Sequence, residues 1–518
     1  MSRNINELKA GVFLNYVLIV VNALVGLLYT PYMLRTMGQS EYGLYSLVAS
    51  VIAYLTILDL GFGNAIVRYT AKFRAEGKVK EQFEMLGMFF LLYLIISVIA
   101  SVIGFVLYLN VDNMFGDTMT TVELEHARIM MIVLIINLAF TFPLSVFTSV
   151  NTAYEKFVFP RVLNIARVIF NTIVMIVLLH LGFRAIAMVV VQTIFNLLTL
   201  LLNYIYCKHR LRVKLLFTHF DWHLLKEIGF YSLWIFIAAI VDRIDLSTGQ
   251  FVLGAVSGTA EVAVFAVVIT LRGMYTQFST AVSSVFLPKM TTMVAESKSD
   301  SELSDVFLRT SRIQYIILSF ILTGYVIFGL EFMTLWVGKE YIISYYIGLL
   351  LFIPDTIPLC QNIGIAIMQA RNQMRFRAVS YLIIAIFSLL LQILLGKMYG
   401  SLGCAIAMAC ATTTGRIFVM NTYYYRIQKI DIPAFWREIS KMSIVPALFC
   451  LILLSFRGFY PLANSWSMLL IEMIVFSLLY IVLVYKYQFN EGERILIKNV
   501  VENIKKIRAN GRGIKKTY

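Results

Sequence analysis

Fourteen apolar runs, most of about twenty residues or more, recur along this 518-residue chain and leave it few folds. A run of that length crosses about 30 Å of hydrocarbon as an α-helix, which satisfies its backbone N–H and C=O groups internally. The runs lie near residues 9–32, 42–64, 84–109, 127–149, 161–181, 184–206, 228–253, 261–288, 312–334, 343–369, 378–396, 401–424, 441–456 and 464–485. The eighth and tenth are long enough to be tilted or broken. With 60% hydrophobic and 14% charged residues, the composition lies outside the soluble range. An all-α integral membrane protein is expected. The first run is too long for a signal-peptide core and no small-residue cleavage site follows it, so the N-terminus is expected to be retained.

A net charge of +15 would suggest nucleic acid in a soluble domain, but here the basic residues must first be placed about the bilayer. With an even number of spans, 34 Lys and Arg fall on one face and five, Arg35, Arg184, Lys339, Lys397 and Arg457, on the other. The positive-inside rule makes the rich face, with both termini, cytoplasmic, and no nucleic-acid partner is expected. The outward loops are short and leave no room for a catalytic domain. The segment "ERILIKNVVENIKKIR" aligns Ile497, Val500, Val501, Ile504 and Ile507 opposite lysines, as expected of a helix on the inner leaflet. Cys207, Cys360, Cys404, Cys410 and Cys450 show no paired spacing and are expected to be small core residues.

One internal similarity suggests a repeat. "LRTMGQSEYGLYS" resembles "LGAVSGTAEVAVFA", with Gly38, Glu41, Gly43 and Tyr45 matching Gly258, Glu261, Ala263 and Phe265 at an offset of 220. The first and seventh spans run in the same direction, so two parallel six-helix lobes are expected. The organisation expected is residues 1–225 as an N-terminal lobe and 226–430 as a C-terminal lobe. Two additional helices at 431–486 and a basic amphipathic cytoplasmic tail at 487–518 complete it.

The block "TPYMLRTMGQSEYGLYSLVASVIAYLTILDLGFGNAIVRYTAKFRAEGK" resembles the opening of the bacterial polysaccharide transporters, the oligosaccharide flippases of O-antigen and related pathways. These belong to the multidrug/oligosaccharidyl-lipid/polysaccharide exporter superfamily. The G-x-x-E-Y-G-L-Y turn and the L-D-L-G-F-G segment carry the resemblance; beyond about residue 425 only helix count and hydropathy agree. It implies a multi-pass protein of the bacterial plasma membrane that moves a polyprenyl-diphosphate-linked oligosaccharide by alternating access. It also implies a central cationic cavity that receives the diphosphate.

A charge at the centre of a membrane helix costs roughly 2.5–3.5 kcal/mol on insertion scales, so such charges are functional candidates. Arg272 lies near the middle of the eighth span, and the resemblance makes it the first candidate for the diphosphate. The bland alternative is an internal ion pair with Asp242, Asp245 or Asp355. In "VDRIDLSTGQ", Asp242 and Asp245 share a helix face while Arg243 points about 100° away. The two carboxylates either bind a coupling H+ or Na+ or neutralise Arg243 and Arg272. Asp355, between Pro354 and Pro358, marks an expected kink. Asp59 is expected to be a gate or packing ion pair, with Arg167 a plausible partner, and Arg416 is a further cavity candidate. Glu472 has no evident partner.

Other motifs favour bland readings. "GFGN" follows no strand and is no dinucleotide fingerprint. "HFDWH" spaces His219 and His223 like metal ligands, with Asp221 between them, but no third ligand is evident. No catalytic residue, metal or cofactor is expected. Expected partners are the lipid-linked substrate, membrane lipids, and a polymerase with other polysaccharide assembly proteins. The rival readings are an ion-coupled drug antiporter of the same superfamily and, more distantly, a membrane polymerase or ligase.

Overall fold

The computed structural model describes residues 2–218, 220–371, 373–457 and 464–495. Among the described residues it is all helix. In chain order the elements are α1 (Ser2–Met37), α2 (Gln39–Leu55), α3 (Phe62–Ala75), α4 (Val79–Leu109), α5 (Val111–Phe115), α6 (Thr121–Ala153), α7 (Val158–His180) and α8 (Ala185–His209). They continue as α9 (Trp222–Val256), α10 (Thr259–Ala295), α11 (Asp300–Trp336), α12 (Ile342–Cys360), α13 (Asn362–Ala370), α14 (Met374–Ala411), α15 (Met420–Arg426), α16 (Ile432–Arg457) and α17 (Trp466–Tyr487). Twelve continuous stretches among the described residues are long and apolar enough to cross a membrane. One of them, Met374–Arg426, turns at Gly400 (φ 56, ψ −137) and holds both the eleventh and twelfth expected spans. The seventh expected span lies in α9, whose apolar sequence is interrupted by Asp242, Arg243 and Asp245. About fourteen transmembrane helices result, as the hydropathy required.

Two spans are broken where the sequence supplies a reason. The second passes from α2 through a 3-10 turn, Thr56–Asp59, and two left-handed residues, Leu60 (φ 53) and Gly61 (φ 73), into α3. The tenth breaks at Gln361, three residues beyond Pro358, between α12 and α13. There the Leu359 carbonyl accepts a hydrogen bond from the Ser279 hydroxyl at 2.7 Å, which satisfies an oxygen the break leaves free.

The helices form two compact units. The first comprises Met1–Gln277, Trp336–Asp355 and Met368–Thr422; the second comprises Phe278–Leu335, Thr356–Ile367 and Tyr423–Tyr518. The second unit is centred on Ile327 and Phe328 of α11 packed with Leu469, Phe476, Tyr480 and Val484 of α17. In the first unit the repeated turns have a shared construction. Gly38 (φ 82) and Gly258 (φ 89) hold equivalent left-handed positions just ahead of α2 and α10. Three residues later, Glu41 accepts from the Ala185 N–H at the start of α8 (3.3 Å), and Glu261 accepts from the Ser401 N–H beside the Gly400 turn (2.8 Å). Matched carboxylates thus satisfy the exposed N–H groups of corresponding helical segments.

The two motifs also touch. Glu123, in the capping box that begins α6, accepts hydrogen bonds from Ser40 and from Thr259 (2.7 Å). A Cβ on Gly43 would lie 1.8 Å from the Thr259 carbonyl oxygen, so the backbones meet closer than any side chain allows. Three of the cysteines, Cys207, Cys360 and Cys404, are buried as expected and Cys450 is half-buried, but Cys410 is exposed. The amphipathic tail from Ile497 onward lies outside the described residues.

Replacing Gly43 by Ala forces backbone apart from backbone and is expected to destabilise by about 1–3 kcal/mol. Gly229→Ala, where a Cβ meets nothing within 4 Å among the described residues, serves as the neutral comparison. Thermal unfolding of the detergent-solubilised proteins should show a clear loss for the first and little for the second. Equal stability would refute the close approach.

Candidate functional site

Four charged side chains from four helical segments meet in the first unit. Arg272, on α10, presents a guanidinium edge to Asp355 on α12: Nε donates to Oδ2 at 2.6 Å and Nη2 to Oδ1 at 3.2 Å. Its Nη1 donates to Oδ2 of Asp245, on α9, at 3.1 Å. The same carboxylate oxygen receives Nη2 of Arg416 at 3.0 Å. Arg272 and Asp355 are only 5% and 4% exposed, whereas the side chains of Asp245 and Arg416 are each 23% exposed. The chain of charges therefore runs from a sealed bidentate pair to a partly open one.

Arg416 is placed by a local departure from the α-helix. Thr412–Val419 forms a π-helical stretch, in which the i→i−4 pattern lapses. The sequence "TTTGR" accounts for it: the Thr413 and Thr414 hydroxyls donate to the carbonyls of Ala409 and Cys410, both at 2.8 Å. Gly415 then lets the stretch approach Ile384 closely. The guanidinium of Arg416 lies 5.6 Å from the centre of the Tyr381 ring, and that of Arg377, one turn before Tyr381 on α14, lies 4.8 Å from it. A narrow cleft of about 30 Å³ opens here, lined by Asp245, Tyr381, Ser388, Thr412 and Arg416 among others.

The two arginines differ in what they can do. Arg272 spends three N–H groups on two carboxylates and is buried. Arg416 shares one carboxylate oxygen with Arg272 and lines the cleft, so an oxyanion arriving there can replace Asp245 on it without unpacking the Arg272–Asp355 fork. Guanidinium binds carboxylate and phosphate oxygens with the same planar geometry, which makes the exchange chemically even.

The other candidates stand apart. Arg243 is half-buried and pairs with no carboxylate among the described residues; the Asp242 side chain lies outside them. Asp59 does not pair with Arg167. It accepts from the Tyr93 hydroxyl at 2.6 Å and from the Gly61 N–H, because the left-handed turn folds that N–H back onto it. Asp221 caps α9 through the Leu224 N–H at 2.9 Å, while His219 lies outside the described residues. Glu472 has no ion-pair partner among the described residues.

Three features were missed in the sequence. Tyr93 lies 34 residues from Asp59, and nothing local marks the pairing. Tyr381 stands at i, i+4 from Arg377, a spacing visible in the sequence that was not singled out. Arg312, counted only as a topology signal, clasps Glu493 (2.8 and 3.0 Å) and Glu438 in the second unit, where Gln488 also receives it at its carbonyl.

A family model described as polysaccharide biosynthesis protein matches residues 8–294, more than half of the chain. The protein belongs to that family. No curated protein matches the sequence significantly. Among solved structures, the chain is similar to a lipid II flippase MurJ in an inward closed conformation, with a TM-score of 0.71 and 16% identity over 92% of this chain and 98% of that one. It is also similar to an inward-facing multidrug resistance MATE transporter of the MOP superfamily, with a TM-score of 0.54 and 15% identity over 79% and 99%. A MOP superfamily transporter from Pyrococcus furiosus gives a TM-score of 0.53 and 13% identity over 81% and 94%. At these identities the likeness is one of fold. The spans and the fold make this a multi-pass membrane protein of the polysaccharide biosynthesis family.

If Arg272 is primarily a partner for buried carboxylates, Arg272→Ala strands Asp355 and should sharply reduce membrane abundance, by an expected 3–5 kcal/mol of stability. Adding Asp355→Asn should restore much of it. Immunoblotting of membrane fractions for the single and double variants checks this; a normal abundance of Arg272→Ala refutes the structural role.

Proposed function

We propose that this protein is a flippase that moves a polyprenyl-diphosphate-linked oligosaccharide from the cytoplasmic to the outer leaflet of the bacterial plasma membrane. The cargo serves synthesis of a surface polysaccharide: O-antigen, capsule or exopolysaccharide. The observation that carries the reading is the exchangeable pair Asp245–Arg416 at the mouth of a cleft, next to a second arginine stacked on the same tyrosine. The diphosphate carries negative charge that is costly in a low-dielectric region unless fixed donors replace its water. Arg416 and Arg377, both held near the Tyr381 ring, supply such donors, and the Arg272–Asp355 fork keeps their surroundings rigid.

Exchange is also reversible: when phosphate takes Arg416, Asp245 keeps its second cationic neighbour, Arg272, and release of the cargo restores the ion pair. Translocation needs no bond chemistry, so no catalytic residue is assigned. Both termini lie on the cytoplasmic side in this reading, and the polymerase and other assembly proteins act on the delivered glycan.

One observation favours the rival antiporter. Asp245 and Asp355 are the groups that a cationic substrate would use, and the fold is shared with multidrug transporters. The variants separate the two readings. Arg416→Ala should cut surface glycan at least tenfold, with lipid-linked glycan accumulating on the cytoplasmic leaflet at normal membrane abundance of the protein. Arg416→Lys keeps the charge but loses the planar fork, and should retain part of the export. Normal export by Arg416→Ala overturns the assignment. Increased sensitivity of Asp245→Asn cells to cationic drugs, with surface glycan unchanged, installs the antiporter in its place.

A further inference from the structure

The first six spans hold a polar stripe that the cleft does not use. On α7, Arg161, Asn164, Arg167 and Asn171 recur at helical spacing, whereas Val162, Ile169, Ile173 and Val177 form the exposed apolar side. At about 100° per residue the two sets lie on opposite faces, so the stripe faces away from lipid. All four polar residues are half-buried, while Met175 and Leu179, farther along the same face, are 3% and 2% exposed. That face is therefore open along its first turns and closed beyond Asn171, where Met175 receives the Asn171 amide (3.5 Å) and the Tyr29 hydroxyl (3.3 Å) at its sulfur.

At the closed end of the open stretch sits Arg167. Its one hydrogen bond among the described residues runs from Nη1 to Oδ1 of Asn196 at 3.2 Å, and no carboxylate pairs with it there. Asn196 is held in turn by Asn137 (2.8 Å) and Thr141 (3.0 Å) on α6. The Oδ1 of Asn171, one turn from Arg167, is buried and accepts no hydrogen bond among the described residues. A guanidinium in a membrane helix with most donors unused, beside an amide with an unused acceptor, suits a partner bearing both an anion and hydroxyl donors.

We infer that Arg167, with Asn171 and Asn164, forms a second subsite that binds an acidic sugar of the cargo glycan through its carboxylate. The inference rests on the flippase reading and adds the glycan's chemistry to it. Charge matching decides between carboxylate and diphosphate. Arg167 is ringed by neutral amides, with Arg161 about 9 Å farther along the helix, so it balances a single negative charge at its own position, and the amides suit sugar hydroxyls. A diphosphate carries more charge and is better matched by the two arginines beside Tyr381. The stripe thus selects cargo and the cleft grips the group common to all such cargoes.

The test compares two synthetic probes, a polyprenyl-diphosphate trisaccharide containing glucuronate and the same molecule containing glucose. Each is bound to the full-length protein in lipid nanodiscs. Wild type is expected to prefer the glucuronate probe by about tenfold or more, since a charge-assisted bond is at stake. Arg167→Gln should abolish that preference while binding the glucose probe as wild type does, and Arg167→Lys should keep part of it. Absence of a preference in wild type, or a preference that survives Arg167→Gln, overturns the subsite. Equal weakening of both probes by Arg167→Gln also overturns it, by assigning Arg167 to the diphosphate. Thermal unfolding of each variant keeps misfolding from passing as a binding effect, and Asn171→Leu, expected to weaken the glucuronate probe more than the glucose probe, tests the subsite without touching the charge. Arg416→Gln tests the flippase reading separately. If it leaves binding of the glucose probe intact, the cleft assignment fails while the ratio between the probes still reports on Arg167.

Discussion

A buried arginine fixed between two aspartates organises the centre of the first unit. Each of the three charges would be costly alone in hydrocarbon, and together they are tolerable because the fork geometry uses the guanidinium edge fully and the shared Asp245 oxygen balances what remains. The cost of separating Arg272 from Asp355 holds α10 and α12 at one register, and the 3.1 Å bond to Asp245 adds α9. Such an arrangement is a poor source of net stability compared with apolar packing but a strong constraint on position. Its consequence is that the last member of the series, Arg416, is only half-committed. It sits where exchange costs least, on a π-helical stretch beside a cleft, with its carboxylate already shared.

Much of this architecture was legible because a membrane leaves the backbone so little choice. Run length gave the helix number, and the single stretch Met374–Arg426 required only that a glycine turn be recognised between two spans. The break at Gln361 was implied by Pro354 and Pro358. The break after Asp59 was not, because a left-handed Leu60 has no sequence signature and Gly61 alone has many uses. The charges were legible as a set but not as partners. Hydropathy identifies Arg272, Asp245 and Asp355 as anomalies, and pairing depends on how three helices rotate about their axes, which one sequence does not encode locally. Asp59 shows the same limit: a tyrosine hydroxyl and a backbone N–H satisfy it as well as an arginine would, and neither registers in a search for opposite charge.

The two similar turns of this one chain share their construction. Gly38 and Gly258 supply the left-handed residue that reverses the chain, and Glu41 and Glu261 then reach back to N–H groups at the starts of corresponding helical segments. The carboxylates are therefore structural caps rather than cavity charges. Their remaining differences are informative: Gly43 in one copy meets the backbone of the other, where the second copy carries Ala263, so the two turns form an asymmetric contact rather than a symmetric one.

Asymmetry of chemistry follows the same division. The helices from α9 onward in the first unit contribute dense, alternating charge, with four ionised groups in sequence and two cations sharing one aromatic ring. Those from α6 to α8 contribute amides and hydroxyls around Arg167. A lipid-linked oligosaccharide has a matching division, with a multiply charged diphosphate at one end and a hydroxyl-rich glycan at the other. If this protein carries such a molecule and each half recognises one part, neither half suffices alone, and changes on α7 can accumulate without disturbing the buried fork on which α9, α10 and α12 depend.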